Sequence, residues 1–352
     1  MDSVTQIALG AAVGGLVAHK QLGWRAYLIG AGLGTLPDLD VLIQYDNAVD
    51  NVTRHRGFSH SLFVLTAITP ILAWLCQRWA KWRQHSLSWP RTMLLIWLGL
   101  ITHPLLDSFT SYGTQLWWPL APPPTSWSSI FIIDPLYTLP LLIGAIVAMS
   151  RRKRHSPVRG YGSNLIGFII ASSYLAAGFG LSKYVQQKAA AAMTAQHIEG
   201  RIFVSPTPFN IALWRIVAVD NNYWYSAYVS VFDDDKTLSL SRQQPLHHDQ
   251  GAQMADVQRL AWFTHGFYQV DAIDNQLVVT DLRLGVEPVM PFRFVVAERP
   301  SEQQEWQPVR SEQLTTQRPR RDQLSWVWLR MRSQTQLSPH EFIQQQGAEF
   351  TE

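Results

Sequence analysis

The chain has 352 residues, of which 47% are hydrophobic and only 16% are charged, with a formal net charge of +3. Soluble proteins carry about 25% charged residues, so the composition favours a membrane protein, and the small net charge argues against nucleic acid as a partner. The one cysteine, Cys76, excludes an internal disulfide and a thiolate zinc site.

Apolar segments dominate the chain up to about residue 185. There are six of them, at residues 6–19, 24–37, 60–79, 92–108, 129–149 and 163–184. The last four approach the ~20 residues that a membrane-spanning helix needs, whereas residues 6–37 are predicted as two short spans, a re-entrant pair or a buried hairpin. The pairs Gly10/Gly14 and Gly30/Gly34 have the spacing that lets helices pack closely in lipid. We predict an α-helical polytopic membrane domain of about four to six helices over residues 1–185.

Basic residues are concentrated in alternate loops between these segments. Those loops contain Lys20, Arg25, Arg78, Lys81, Arg83, Arg91, Arg151, Arg152, Lys153, Arg154 and Arg159. The other two short loops, 38–59 and 109–128, contain only Arg54 and Arg56. The positive-inside rule places the basic loops in the cytoplasm. Loops 38–59 and 109–128, and everything after the sixth segment, are therefore predicted to face outward, which is the periplasm in a Gram-negative bacterium.

Residues 186–352 are predicted as a β-rich (α+β) soluble domain. Stretches rich in β-branched and aromatic residues are typical of antiparallel strands, namely RIFVSP, WRIVAVD, YWYSAYVSVF, NQLVVTDLRLG and FRFVVAE. We expect a helix around 254–265 and a polar tail after about residue 300. His247, His248 and Asp249 form the one polar cluster of this half, and we interpret them as solvated surface.

The histidines and aspartates of the first half gather at the predicted outer ends of the segments. They are Asp38 and Asp40 after the second segment, His55, Arg56 and His60 before the third, His103 and Asp107 at the end of the fourth, and Asp134 in the fifth. Each group alone has a simpler interpretation: a helix-ending turn, a helix cap, or one His–Asp hydrogen bond. Ionisable residues at membrane depth usually mark a functional site, and three segments that bring carboxylates and imidazoles to one level together indicate a metal site.

Carboxylates and imidazoles without thiolate suit Zn²⁺ first, and also Mn²⁺ or Fe²⁺, as one ion or two. A bound metal ion lowers the pKa of its water to about 7, which makes a nucleophile for hydrolysis at neutral pH. Arg56 offers a bidentate anchor for an anionic group such as a phosphate. At a bilayer surface the natural anionic ester is a lipid headgroup.

Five motifs carry a resemblance to a known family. MDSVTQIALGAAVG, GTLPDLDVL, HRGFSHSLF, THPLLDSFTSYGTQLWWP and IFIIDPLYTLPLL follow one another over about residues 1–150, and they resemble the bacterial membrane-bound metal-dependent hydrolases, the YdjM-like inner-membrane proteins. The resemblance implies a multi-helix membrane protein whose metal ligands lie in the PDLD, HRGFSHS and HPLLD blocks. By position these are Asp38, Asp40, His55, His60, His103 and Asp107. The domain after residue 185 lies outside the shared core.

The chain departs from the family pattern at Gln6, where many members have a histidine. Glutamine is a poor ligand, so we expect an N-terminal contribution to the metal only if Asp2 supplies it.

We predict an inner-membrane metal-dependent hydrolase of ester or phosphoester bonds, with the lipid bilayer as its partner and a lipid as its substrate. The predicted metal ligands are Asp38, His60, His103 and Asp107. His55 or Asp40 is predicted as general base or as support for a ligand, and Arg56 as substrate anchor. Two alternatives stay open. An ion transporter requires further ionisable residues at mid-membrane depth, which segments 4 to 6 lack; an envelope scaffold uses the metal only to tie its helices together.

Overall fold

The computed structural model describes residues 1–78, 87–150, 157–234, 238–315 and 321–349. The chain forms two compact units: unit 1 contains Met1–Ile43 and His55–Phe179, and unit 2 contains Gln44–Arg54 and Gly180–Glu352. Part of the topology prediction depends on basic residues that lie outside the described residues, namely Lys81, Arg83, Arg151, Arg152, Lys153 and Arg154.

Helices dominate the first half of the chain, as predicted. In chain order the helices are α1 (Ser3–Leu22), α2 (Trp24–Thr35), α3 (Ala48–Arg54), α4 (Leu62–Arg78), α5 (Trp89–Ser108), α6 (Pro135–Ser150), α7 (Pro157–Ala195), α8 (Ala255–Phe263), α9 (Arg321–Met331) and α10 (Pro339–Glu349). Among the described helices, one is long and apolar enough to cross a membrane, over Tyr161–Ala195, and residues 48–78 pass the same test only as a broken pair. The number of four to six membrane helices stays a prediction.

The glycines of α1 and α2 explain how the two helices form a tight hairpin. A Cβ atom on Gly30 would lie 2.1 Å from the carbonyl oxygen of Gly10, and one on Gly14 would lie 2.2 Å from that of Ala26. Neither distance is compatible with a side chain, so backbone packs directly on backbone. The close approach predicted from the glycine spacing is present.

Unit 2 contains two four-stranded antiparallel sheets, in the orders β1-β2-β3-β4 and β5-β6-β7-β8. The strands are β1 (Arg201–Pro206), β2 (Leu213–Val219), β3 (Tyr223–Ser230), β4 (Ser241–Pro245), β5 (Tyr268–Ile273), β6 (Gln276–Asp281), β7 (Arg293–Glu298) and β8 (Gln307–Gln313). The five predicted strands correspond to β1, β2, β3, β6 and β7, and the predicted helix to α8. The prediction of a polar tail after residue 300 is wrong, because this part contains β8, α9 and α10 and because Trp326 of α9 is fully buried.

One short segment of the first half folds as part of unit 2. Helix α3 buries Val49 completely in the core formed by Val257, Leu260 and the strands of the second sheet. Arg259 donates a hydrogen bond from Nε to the hydroxyl of Thr53, at 2.9 Å. The chain therefore leaves unit 1 after Ile43 and returns to it at His55. The PDLD and HRGFSH segments are the two ends of this excursion.

Candidate metal centre

Three segments of unit 1 carry the candidate ligands. A 3₁₀ turn over Pro37–Leu42 contains the PDLD motif, a second 3₁₀ turn over Phe58–His60 ends the HRGFSH motif, and the last two turns of α5 carry His103 and Asp107. Residues four apart lie on one face of a helix, so the latter two side chains face the same way. The structure brings all three predicted blocks together.

Four ligand atoms converge at the centre of this cluster. Asp38 Oδ1 lies 3.4 Å from His60 Nε2 and 3.2 Å from His103 Nε2, and the two imidazole nitrogens are 3.2 Å apart. Asp107 Oδ2 lies 3.4 Å from His60 Nε2 and 3.5 Å from His103 Nε2. Zinc binds nitrogen and oxygen tetrahedrally at about 2.0–2.1 Å, which separates its ligand atoms by about 3.3–3.4 Å. These five spacings match edges of such a tetrahedron.

Hydrogen bonds on the far side of each imidazole set its tautomer. His103 Nδ1 lies 2.5 Å from the carbonyl oxygen of Gly34, which can only accept a hydrogen bond. The hydroxyl of Ser59 donates to Asp40 Oδ2 at 2.6 Å and therefore accepts from His60 Nδ1 at 2.9 Å. In the neutral rings both Nε2 atoms then carry a lone pair toward the centre, and supporting hydrogen bonds of this kind are typical of metal-binding histidines.

The Oδ2 atom of Asp107 is fully buried and has no hydrogen-bond partner among the described residues. Arg56 Nε lies 3.1 Å from it but is not oriented to donate a hydrogen bond. The other oxygen of Asp107, Oδ1, accepts from the side-chain amide of Gln6 at 2.9 Å and contacts the amino group of Met1. A buried carboxylate oxygen without a donor is costly, and a metal ion among His60, His103 and Asp107 would remove that cost.

Asp40 lies behind the centre and is hydrogen-bonded through both oxygens. Its Oδ1 is 2.8 Å from His55 Nδ1, and its Oδ2 accepts from the backbone N–H of Arg56 at 3.0 Å as well as from Ser59. Asp40 thereby connects His55 to His60. The carboxylate is almost buried, whereas the His55 side chain keeps 25% of its surface exposed.

Both carboxylates of the PDLD turn are held in the ionised form. Burial by itself raises the pKa of Asp38, but in the metal-free chain the contacts of its carboxylate with the imidazoles of His103 and His60 outweigh burial and hold that pKa well below its usual range. The pKa of Asp40 is lowered in the same way, by its hydrogen bonds with His55 and Ser59. Ionised carboxylates are the form that binds metal.

Arg56 is buried, with 4% of its side chain exposed, and adopts a left-handed backbone conformation with φ 59°. Its Nη1 donates to the hydroxyl of Thr110 at 3.3 Å, and its guanidinium lies over the ring of Tyr112. Its backbone carbonyl accepts from the N–H of Gln115 at 3.0 Å. Strained backbone that is fixed from several sides is typical of functional segments, and here it turns the chain between the predicted ligands.

Other predicted residues lie elsewhere. Asp2 caps α1 by accepting from the N–H groups of Val4 and Thr5. Asp134 directly precedes α6 and accepts from the hydroxyl of Tyr174 at 2.8 Å. In unit 2, His248 stacks on Tyr268 with ring centroids 4.0 Å apart and is half-buried, so this member of the cluster at 247–249 is not simply solvated.

Two residues at the centre were not predicted to contribute. Gln6 reaches Asp107 although we expected no ligand from it, and Ser59 connects Asp40 to His60. The sequence contains a signal for Ser59 only, because a serine directly before the candidate ligand His60 is placed to support the imidazole ring. The contact of Gln6 joins residues 101 positions apart, and local pattern does not encode it.

Comparison with known proteins identifies the family to which the part of the chain that carries these residues belongs. The profile of the YdjM inner membrane protein family matches residues 1–186, more than half of the chain. The chain belongs to the YdjM inner membrane protein family. The resemblance predicted from the five motifs is thereby confirmed, and all candidate ligands lie within the part that the YdjM profile covers.

Two curated relatives match parts of the chain. The inner membrane protein YbcI of Escherichia coli K12 is 34% identical over 116 residues, which cover 33% of this chain and 64% of YbcI. The uncharacterized protein YfhP of Bacillus subtilis 168 is 28% identical over 125 residues, which cover 33% of this chain and 36% of YfhP. The match thus spans less than two thirds of either relative. No solved structure matches the chain.

Proposed function

We propose that this YdjM-family protein is a metal-dependent hydrolase of the inner membrane that acts on an ester or phosphoester, with a lipid as substrate, at the periplasmic membrane surface. The observation that carries the proposal is the convergence of four ligand atoms from two carboxylates and two imidazoles, one of them a buried carboxylate oxygen without a hydrogen-bond donor. The outward position is supported by the basic residues in the alternate loops.

In this proposal Asp38, His60, His103 and Asp107 hold one divalent metal ion, for which Zn²⁺ is the first choice because two imidazoles and two carboxylates without thiolate suit it. The ion supplies a Lewis acid that lowers the pKa of water to about 7. Because Gly34 and Ser59 fix the two imidazole rings, the ligands are preorganised.

Three further residues support the reaction. Asp40 and His55 activate the attacking water, and His55 is placed for this because its exposed side chain remains hydrogen-bonded to an ionised carboxylate. Arg56 adds a positive charge beside Asp107 and favours an anionic group at the site. This role depends on charge, because its guanidinium is buried.

A test combines metal analysis with a hydrolysis screen of the purified full-length protein in detergent. We expect the wild type to contain metal and to hydrolyse phospholipids or nitrophenyl esters. The variants His103→Ala and Asp107→Ala should lose both the metal and the hydrolysis. His340→Ala, which changes an exposed histidine of unit 2, is the matched control and keeps both. Unchanged metal content in the two site variants contradicts the assignment.

One observation favours a second candidate function, a membrane scaffold with a structural metal ion. His60, His103 and Asp107 are fully buried, and four protein ligands close the coordination sphere, as in structural zinc sites. In that case chelation unfolds unit 1, and no substrate is turned over in the presence of any metal.

A further inference from the structure

Helix α3 and the residues beside it belong to unit 2 although they lie within the first half of the chain. This segment, residues 44–54, follows the 3₁₀ turn that carries the PDLD motif and ends directly before His55, the first residue of HRGFSH. The rest of unit 2 begins only at Gly180. A soluble domain that is merely attached to a membrane domain needs one connection, so the insertion of α3 between two ligand-bearing motifs indicates a further role.

The position of α3 is determined by its contacts within unit 2. Val49 and Thr53 are both fully buried, and Val49 belongs to the core of the second sheet. The backbone N–H of Val49 donates to the hydroxyl of Ser311 at 3.2 Å. The guanidinium of Arg259 donates to both the hydroxyl and the carbonyl oxygen of Thr53, at 2.9 Å and 3.2 Å. Because α3 has only seven residues and an isolated helix of this length is not stable in water, these contacts hold it in place.

The anchor at Thr53 is close to the metal centre along the chain. His55 follows Thr53 by two residues, and a chain extends by at most about 3.6 Å per residue, so their Cα atoms are never more than about 7 Å apart. Three hydrogen bonds connect His55 to a candidate ligand: His55 with Asp40, Asp40 with Ser59, and Ser59 with His60. A displacement of α3 therefore has a short route to the imidazole of His60.

We propose that unit 2 positions the metal centre, because the packing of α3 in unit 2 holds the HRGFSH segment in the conformation in which His60 faces the other three ligands. Thr53 and Arg259 are then positioning residues that act on His60 through the backbone and the hydrogen bonds of this segment. The inference rests on the proposed function, since it requires a metal ion at the four-residue centre. It gives a role to the soluble domain, most of which lies beyond the residues 1–186 that the YdjM profile matches.

The test measures how fast the full-length protein in detergent releases Co²⁺ to a chelator, followed by the visible absorption of the bound ion. Thr53→Val keeps the shape of the side chain and removes the hydroxyl that accepts from Arg259. We expect release about 10-fold faster than in the wild type, the low end of the effect of losing support for a ligand, together with a shifted Co²⁺ absorption band. Thr53→Ser keeps the hydroxyl and should restore the wild-type rate and band.

Two further variants separate positioning from general stability. Arg259→Ala removes the same hydrogen bonds from the other side and should release Co²⁺ as fast as Thr53→Val. Glu287→Gln weakens unit 2 at its ion pair with Arg215 and leaves the contacts of α3 in place, so it should release Co²⁺ at the wild-type rate. Circular dichroism and size-exclusion chromatography verify that each variant is folded.

Three results overturn the inference. Release at the wild-type rate in both Thr53→Val and Arg259→Ala shows that α3 does not position the ligands, and the proposed function then stands without this role for unit 2. Equally fast release in Thr53→Val and Glu287→Gln assigns the effect to a general loosening of unit 2. If the wild type binds no Co²⁺, the proposed function fails together with the inference.

Discussion

The two units bury charged groups in different ways. In unit 2 each of three largely buried carboxylates accepts hydrogen bonds from an arginine, in the pairs Arg215–Glu287, Arg283–Asp281 and Arg330–Asp233. At the centre of unit 1 Asp107 also lies beside Arg56, but in addition four ligand atoms of two carboxylates and two imidazoles face one another at 3.2–3.5 Å. Charges that are paired within the chain indicate a structural role, whereas facing acceptors indicate a cation from outside the chain.

Asp107→Asn should have the largest effect, because it keeps the size of the side chain and removes the buried charge. We expect the affinity for the metal ion to fall by about three orders of magnitude, or about 4 kcal/mol, since a neutral amide is a poor ligand. Metal analysis after dialysis measures the loss. The matched variant Asp281→Asn, in unit 2, should retain all of the metal, and equal loss in both variants would remove the distinction between the units.

Glu287→Gln tests the opposite half of the comparison. The substitution leaves Arg215 buried without its ionic partner. We therefore expect unit 2 to lose about 3 kcal/mol of unfolding free energy. This value is the low end for a broken buried pair, because the Glu287 side chain keeps 18% of its surface exposed. Metal content should not change. Denaturant unfolding followed by tryptophan fluorescence measures the stability.

The same pair predicts a dependence on pH. Burial by itself raises the pKa of Glu287, but the charge and hydrogen bonds of Arg215 outweigh burial and lower that pKa. A lowered folded-state pKa stabilises the protein above the unfolded-state pKa of about 4.3, and this contribution is lost as the pH falls through the folded-state pKa. Unfolding measured between pH 7 and pH 3 should show a smaller loss of stability in Glu287→Gln than in the wild type. An identical pH dependence would contradict the role of this carboxylate.

Gly30→Ala separates packing from metal binding within unit 1. The new methyl group would lie 2.1 Å from the carbonyl oxygen of Gly10, so α1 and α2 must move apart, at a cost of about 1–3 kcal/mol. Thermal unfolding in detergent measures the cost. Gly32→Ala, in the same helix and with no atom within 4 Å of the new Cβ, should not destabilise the protein. Metal stoichiometry should stay unchanged in both variants.

Ser59→Ala should have the smallest effect of the series. It breaks the connection between Asp40 and His60, and the loss of such a supporting hydrogen bond costs about 10–100-fold in metal affinity. Ser59→Thr keeps the hydroxyl and should restore most of the affinity. If the threonine variant binds metal as weakly as the alanine variant, the hydroxyl does not position the ring.

Sequence predicted the elements that have a strong local pattern. Strands β2 and β6 are rich in β-branched residues, and the sequence predicts both of them. Strands β4 (SRQQP) and β8 (QPVRSEQ) are polar, mostly exposed and at sheet edges, so their sequences resemble those of loops. The helices of unit 1 followed from their apolar length. Helix α3 was missed because its packing partners, such as Arg259, lie about 200 residues away.

The candidate site likewise contains residues that the sequence predicts and residues that it does not. Loop charges and motif order sufficed to predict that Asp38, His60 and Asp107 meet at one level. The roles of Gln6 and of the buried guanidinium of Arg56 depend on contacts between distant segments. The contact of Gln6 follows from the packing of α1 beside α5, and that of Arg56 follows from the position of its loop at the end of α5. The sequence indicates α1 and α5 only as two apolar stretches.

The most direct test of metal binding by Asp38, His60, His103 and Asp107 is X-ray absorption spectroscopy of the full-length protein loaded with one equivalent of Zn²⁺. The structure predicts four nitrogen and oxygen ligands at about 2.0–2.1 Å, two of them imidazoles, without sulfur, and loss of this spectrum in Asp107→Asn. A six-coordinate, water-like spectrum in the wild type, or one unchanged by Asp107→Asn, would contradict a metal centre at these residues.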